Sequence, residues 1–99
     1  MSKDVTNSEV TIYDDSNNFE NKEFNELSKL LNDCGTKVNH YFYDINIDRF
    51  MANKNVWMLI YCAGREMLPA TYVNNHLIKI ESYPSKKELL YNLKKFGGN

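Results

Sequence analysis

The chain of 99 residues contains two cysteines, Cys34 and Cys62, which are its candidates for thiol chemistry. Thiolates bind soft metals, and a CxxC pair at a helix N-terminus carries out disulfide exchange. No CxxC motif occurs, and each cysteine falls at the predicted C-terminal end of a helix, where the helix dipole disfavours a thiolate. We therefore expect both cysteines to be structural core residues and keep them only as weak metal candidates.

Histidines and carboxylates give no stronger candidate from their spacing. His40 and His76 fall on predicted strands without a second ligand nearby in sequence, so we expect surface histidines rather than a metal site. Asp14 and Asp15 are adjacent, but consecutive side chains of an extended chain point in opposite directions. We expect no histidine or cysteine to lie close enough to Asp14 and Asp15 to form a catalytic group with them. The sequence therefore predicts no catalytic residue, no enzyme activity and no cofactor.

The composition is typical of one globular domain without a strong charge. Hydrophobic residues make up 42% of the chain, and 12 basic residues face 13 acidic residues. This balance argues against overall disorder and gives no general attraction to nucleic acid or to an anionic membrane. No apolar run approaches the roughly 20 residues of a membrane span, and the first residues lack the apolar core of a signal peptide. We expect a cytoplasmic protein with a disordered tail at residues 1–8 and a single domain at residues 9–97.

The elements that must position the candidate residues begin with a strand at residues 9–15. Asn17, with Glu20 three residues later, predicts the start of the first helix. The apolar stripe of this helix continues to Cys34, and Gly35 is expected to end the helix in a left-handed conformation.

A second strand is expected at residues 36–47, with Tyr41 and Tyr43 on the face opposite to His40. A single second helix is then predicted at residues 48–64. The buried side of that helix is predicted to carry Phe50, Val56, Trp57, Ile60 and Tyr61.

The last third of the chain has the clearest local signals. Pro69 precedes a short β-branched and aromatic strand, and Asn74-Asn75 suits a type I′ turn into the return strand. Ser85 and Glu88 form a capping box that predicts the start of the last helix. The full order, β-α-β-α-β-β-α, predicts an α/β fold with a four-stranded mixed sheet.

A proline that opens the third strand after the second helix resembles the thioredoxin fold. This resemblance implies a cis bond between Leu68 and Pro69, facing the loop after the first strand. The candidate binding surface therefore comprises Asp14, Asp15, Ser16, Asn17, Asn18 and Pro69. Tyr41 and Tyr43 are an alternative surface, and strand packing beneath a helix explains them equally well.

Within that fold the chain resembles one family, the ArsD metallochaperones and trans-acting repressors of arsenical resistance. The matching segments are VTIYD, LLNDCGTKVNHYFYDI, DRFMANKNVWMLI, LPATYVNNHLIKIESYP and SKKELLYNL, which together extend over about residues 10–93. The resemblance implies a homodimer that binds trivalent arsenic or antimony through vicinal cysteines after the first strand and passes it to an arsenite-pump ATPase. Here that loop reads DDSNNF and contains no cysteine.

We therefore expect a non-enzymatic binding or regulatory module of the ArsD type in which the metalloid-thiol site is lost. A homodimer is expected, with an arsenite-pump ATPase as candidate protein partner and no membrane partner. One alternative is a thioredoxin-fold interaction module unrelated to arsenic. The other is a DNA-binding repressor, which has weak support because the lysines of the last helix are interspersed with acidic residues.

Overall fold

The computed structural model describes residues 8–96, which form a four-stranded mixed sheet with helices on both faces. The strands are β1 (Glu9–Asp14), β2 (Lys37–Phe42), β3 (Ala70–Val73) and β4 (His76–Lys79), in the sheet order β2-β1-β3-β4. β1 is parallel to β2 and antiparallel to β3, and β3 is antiparallel to β4. The predicted α/β fold with its mixed sheet is confirmed. Residues 1–7 of the predicted tail lie outside the described range, and Ser8 is buried.

Two helices, α1 (Lys22–Asp33) and α4 (Lys86–Phe96), cover one face of the sheet. The core beneath them consists of Val10, Ile12, Leu27, Leu31, Val73, Tyr83, Leu89 and Leu93. The predicted start of α1 at Asn17 is wrong, because Glu20 adopts a positive φ of 62°, which does not continue a helix. Asn21 caps α1 instead, and its side chain accepts a hydrogen bond from the amide of Phe24 at 3.2 Å.

The opposite face of the sheet is covered by α2 (Ile47–Ala52) and α3 (Lys54–Ala63). The core on this side consists of Tyr13, Phe50, Val56, Met67, Leu68, Ala70 and Tyr72. β2 ends at Phe42, earlier than predicted, because the side chain of Asn46 accepts a hydrogen bond from the Phe42 amide at 3.0 Å and turns the chain into α2.

The predicted single helix at residues 48–64 is wrong, since Asn53 divides it into α2 and α3. Asn53 has extended backbone angles, and its side chain accepts hydrogen bonds from the amides of Asn55 (3.0 Å) and Val56 (3.2 Å). This N-cap competes with helix continuation and changes the helical phase after it. Trp57 is therefore 37% exposed and Tyr61 85% exposed, where burial was predicted.

The local signals of the last third are confirmed. The bond between Leu68 and Pro69 is cis, and Asn74 and Asn75 have the positive φ angles of a type I′ turn, 47° and 73°. The Ser85 amide donates to the Glu88 carboxylate at 2.8 Å, and the Glu88 amide donates to the Ser85 hydroxyl at 3.1 Å. No helix in residues 8–96 is both long and apolar enough to cross a bilayer.

Candidate functional site

Asp14 stands at the C-terminal end of β1 and is fully buried. Because Tyr13 pairs with Ala70 across the sheet, Asp14 and Pro69 are the next residues along two neighbouring strands. The structure thus brings together the two ends of the predicted binding surface, the loop that follows β1 and the proline that precedes β3. A buried carboxylate at this place requires partners, since an unpaired charge is costly to bury.

The carboxylate of Asp14 accepts four hydrogen bonds. Its Oδ1 atom accepts from the amide of Asp15 at 2.8 Å and from Nδ2 of Asn18 at 2.7 Å. Its Oδ2 atom lies 2.7 Å from Nε2 of His40 and accepts from the hydroxyl of Tyr83. An ionised carboxylate offers about four lone-pair positions, so this hydrogen-bond set saturates it. No acceptor position of Asp14 is left to bind a metal or to take up a substrate proton.

The cluster favours an ionised Asp14 and a neutral Tyr83. Burial alone would raise the pKa of Asp14, but the hydrogen bonds with His40, Tyr83, Asn18 and the Asp15 amide together lower this pKa below its ordinary value of 3.8. Burial, followed by the hydrogen bond to Asp14 and its charge, raises the pKa of Tyr83 above its ordinary value of 10.0. The phenol therefore stays a donor to the carboxylate.

The expectation of a surface histidine is wrong for His40, and so is the expectation that no histidine joins Asp14. The His40 side chain is 12% exposed, and its ring stacks on Phe24 with centroids 3.8 Å apart. The parallel register pairs Ile12 with His40, which places the imidazole on the same sheet face as Asp14. For His76 the expectation is confirmed, because it is exposed and stacks on Phe96.

The rest of the predicted loop is held by a hydrogen bond within the loop and by contacts with Asp44 and Arg65. The Asp15 carboxylate accepts from the amide of Asn17 at 3.0 Å, and the Ser16 hydroxyl accepts from the amide of Asp44 at 3.2 Å. Arg65 lies 3.4 Å from the Asp15 carboxylate and 3.3 Å from that of Asp44. The sequence analysis did not predict the contact of Arg65 with this loop, because the two are far apart in the chain and only folding brings them together.

The two cysteines lie on opposite faces of the sheet. Cys34 is the half-buried C-cap of α1, while Cys62 is exposed in the last turn of α3. The prediction that Cys62 is a core residue is wrong, because Cys62 follows the buried Val56 by six residues, which places it on a different side of α3, and it is exposed. Among residues 8–96, no group of three or more His, Cys, Asp or Glu side chains is arranged to hold a metal ion.

Tyr41 and Tyr43 are half-buried beneath the α2 and α3 layer. The ring centroids of Tyr13 and Tyr41 are 5.7 Å apart, and those of Tyr43 and Phe50 are 5.5 Å apart. Of the two explanations for these tyrosines, strand packing beneath a helix describes their main contacts.

The strand order, the mixed sheet and the helices on both faces define a thioredoxin-like α/β protein. A family model described as "Arsenical resistance operon protein ArsD" matches residues 9–95, and the chain belongs to this family. It is also similar to the crystal structure of an arsenical resistance operon trans-acting repressor from Bacteroides vulgatus ATCC 8482. That likeness has a TM-score of 0.69 at 18% identity, covers 92% of each chain and shows the shared fold. No curated protein matches the sequence.

Proposed function

We propose that this protein is a non-enzymatic regulatory module of the ArsD family that lacks a metalloid-binding thiol site. The observation that supports the proposal is the saturated carboxylate of Asp14 at the end of β1. The family resemblance places vicinal cysteines just after this strand, whereas the loop here has the sequence DDSNNF. The module would then act in the cytoplasm through contacts with other macromolecules rather than through chelation.

The remaining thiols are poorly placed to replace the missing site. As(III) is a soft ion that is best held by three thiolates close together, and one chain supplies two cysteines. Cys34 belongs to α1 and Cys62 to α3, which cover different faces of the sheet. A single ion cannot reach both thiols without a rearrangement of the fold.

Titration with arsenite and antimonite tests this proposal. Trp57 stacks on Tyr43 with ring centroids 6.5 Å apart, so its fluorescence reports changes in the α3 layer, and equilibrium dialysis gives the stoichiometry. We expect no stoichiometric binding at micromolar metalloid. Cys34→Ser and Cys62→Ser are the matched variants. Stoichiometric binding that either substitution abolishes would contradict the proposal.

The exposed face of α3 supports self-association as the mode of action. Trp57, Met58 and Tyr61 are exposed there, and α3 contains no charged residue after Lys54. A helix that is apolar on all sides is normally covered, and a surface without charges does not repel its own copy. We include in the proposal a homodimer formed through this α3 face. An arsenite-pump ATPase remains the candidate partner for the dimer on the basis of family resemblance.

Sedimentation at tens of micromolar protein tests the dimer. We expect the wild type to sediment as a dimer and Tyr61→Glu to sediment as a monomer, because the substitution buries a charge at the α3 contact. Tyr91→Glu is the matched control, since Tyr91 is 62% exposed on α4, across the sheet. A wild type that sediments only as an 11.6 kDa species would contradict this part of the proposal.

A DNA-binding assay separates this proposal from the repressor alternative. Phosphate contacts make affinity fall steeply as salt increases. Specific binding to the protein's own promoter region with such a salt dependence would favour the repressor. The regulatory module proposed here predicts no such binding.

A further inference from the structure

We propose that a groove on the α2/α3 face of the sheet binds a small organic anion. The groove has a volume of about 450 Å³, and small-molecule sites commonly span roughly 300–1,000 Å³. Its floor includes Thr11, Asn39 and Tyr72, from three adjacent strands, and the junction of α2 and α3 forms its wall. It lies on the sheet face opposite to the Asp14 carboxylate and uses no thiol, so it is independent of the function proposed above.

The hydroxyl of Tyr72 is the first observation that points to a ligand. Tyr72 is 4% exposed and lines the groove, yet its hydroxyl has no hydrogen-bond partner within residues 8–96. The neighbouring phenol of Tyr13 shows the ordinary situation, because it accepts a hydrogen bond from Nδ2 of Asn53 at 3.2 Å. Buried hydroxyls are almost always paired. The oxygen itself has almost no accessible surface, so a ligand in the groove would supply the missing partner after a local shift of the side chains that cover it.

The charge of the wall is the second observation. Arg49 and Lys54 both line the groove, and neither forms an ion pair with a carboxylate in the described part of the chain. The Arg49 guanidinium lies over the ring of Tyr41, 5.5 Å from its centroid. Two cations without counterions beside a groove favour an anionic ligand.

The acidic residue of the groove does not cancel this positive charge. Glu9 accepts a hydrogen bond from Nδ2 of Asn39, and its carboxylate lies 4.0 Å from the ammonium group of Lys37. Burial, and then the neighbouring Tyr13, raise the pKa of Tyr72, so its hydroxyl stays protonated and able to donate. The ligand class is therefore an organic anion with a carboxylate or phosphate near Arg49 and a polar group near Tyr72.

Nuclear magnetic resonance titration of the labelled full chain tests the site with defined probes. Adenosine monophosphate carries a phosphate and salicylate carries a carboxylate, so the two probes separate the anion types. We expect saturable amide shifts confined to the groove with at least one of them, and about tenfold weaker binding of uncharged adenosine than of its monophosphate. No saturable shift with either anion would overturn the proposal. Inorganic phosphate binding as tightly as the organic anions would also overturn it.

Two substitutions, each with a matched control, test the assignment of the residues. Arg49→Ala and Tyr72→Phe should each weaken the probe that binds by about fivefold or more, the effect of roughly one lost hydrogen bond. Lys29→Ala on α1 and Tyr91→Phe on α4 remove equivalent groups far from the groove and should leave the affinity unchanged. Amide spectra of each variant establish that it is folded. Unchanged affinity in both groove variants would overturn the assignment.

Discussion

The hydroxyl of Tyr83 donates a hydrogen bond to the carboxylate of Asp14, although the two residues are 69 positions apart in the chain. Asp14 ends the first strand, and Tyr83 stands in the segment that leads into the last helix. Both side chains are buried, so this bond joins the end of β1 to the segment before α4 inside the core. The same carboxylate therefore stabilises two distant parts of the fold.

Tyr83→Phe removes this bond and keeps the ring. Because the acceptor is a buried charge, we expect the free energy of unfolding to fall by about 1.5–3 kcal/mol in urea denaturation. Tyr91→Phe on α4 is the control, since Tyr91 is 62% exposed, and it should change stability by no more than about 0.5 kcal/mol. Equal stability of the two variants would contradict the role assigned to Tyr83.

The pKa of Asp14 predicts a dependence of stability on acid. Its pKa is lowered in the folded state, so its contribution is present above pH 3.8 and is lost as the pH falls below that value. The pKa of Glu88 is also lowered, so wild type alone does not separate the contributions of the two carboxylates. A variant that lacks only the Asp14 carboxylate does separate them. We expect the stability of Asp14→Asn to fall less steeply than that of the wild type below pH 3.8. Tyr83→Phe, which retains the charge but loses one hydrogen bond, should lie between them. Parallel curves of unfolding free energy against pH for the three proteins would contradict the prediction.

The features that could be predicted from the sequence are those whose partners are near in the chain. The capping box needs only Ser85 and Glu88, and the hairpin needs only Asn74 and Asn75. Such pairs have one satisfactory local geometry, so their residue types specify it. The cap at Asn53 also has a local signal, an Asn within the helical pattern, which the continuing apolar spacing obscured.

The Asp14 cluster could not be predicted in this way. His40 and Tyr83 are 26 and 69 residues away from Asp14, and the parallel register of β1 and β2 brings the imidazole to the carboxylate. Sequence spacing placed Asp14 near the end of the first strand, but did not specify which polar groups from other elements would reach it. Asp14 was therefore predicted as part of a binding surface, whereas it is the centre of a buried network.

Ser85→Ala tests the confirmed capping box. The substitution removes the acceptor for the Glu88 amide, and an N-cap is typically worth about 1 kcal/mol. We expect this loss in the free energy of unfolding, with Ser82→Ala as the exposed control that stays within about 0.5 kcal/mol of wild type. A loss in the control as large as in Ser85→Ala would contradict the cap.

Asn53 performs two functions that substitutions can separate. Its carbonyl oxygen caps α3, and its amide nitrogen donates to the hydroxyl of Tyr13. We expect Asn53→Ala to lose both and to destabilise the protein by about 1–3 kcal/mol. Asn53→Asp keeps an acceptor for the cap and should recover part of that loss. Thermal unfolding at neutral pH measures both variants, and an equal loss in the two would show that the cap contributes nothing.

The hydroxyls of Tyr72 and Tyr13 should have opposite effects on the stability of the ligand-free protein. Tyr72→Phe removes a buried hydroxyl that has no partner in the described residues, so we expect the free energy of unfolding to rise by about 1 kcal/mol. Tyr13→Phe removes the acceptor for Asn53, so we expect a fall of about 1 kcal/mol. The midpoints of urea unfolding measure the stability change of the two variants, provided that the denaturant slope m is the same for both. Opposite signs would mean that the fold retains the Tyr72 hydroxyl at the expense of its stability, as expected of a group that binds a ligand. A fall of similar size in both variants would mean that the Tyr72 hydroxyl is already paired within the protein.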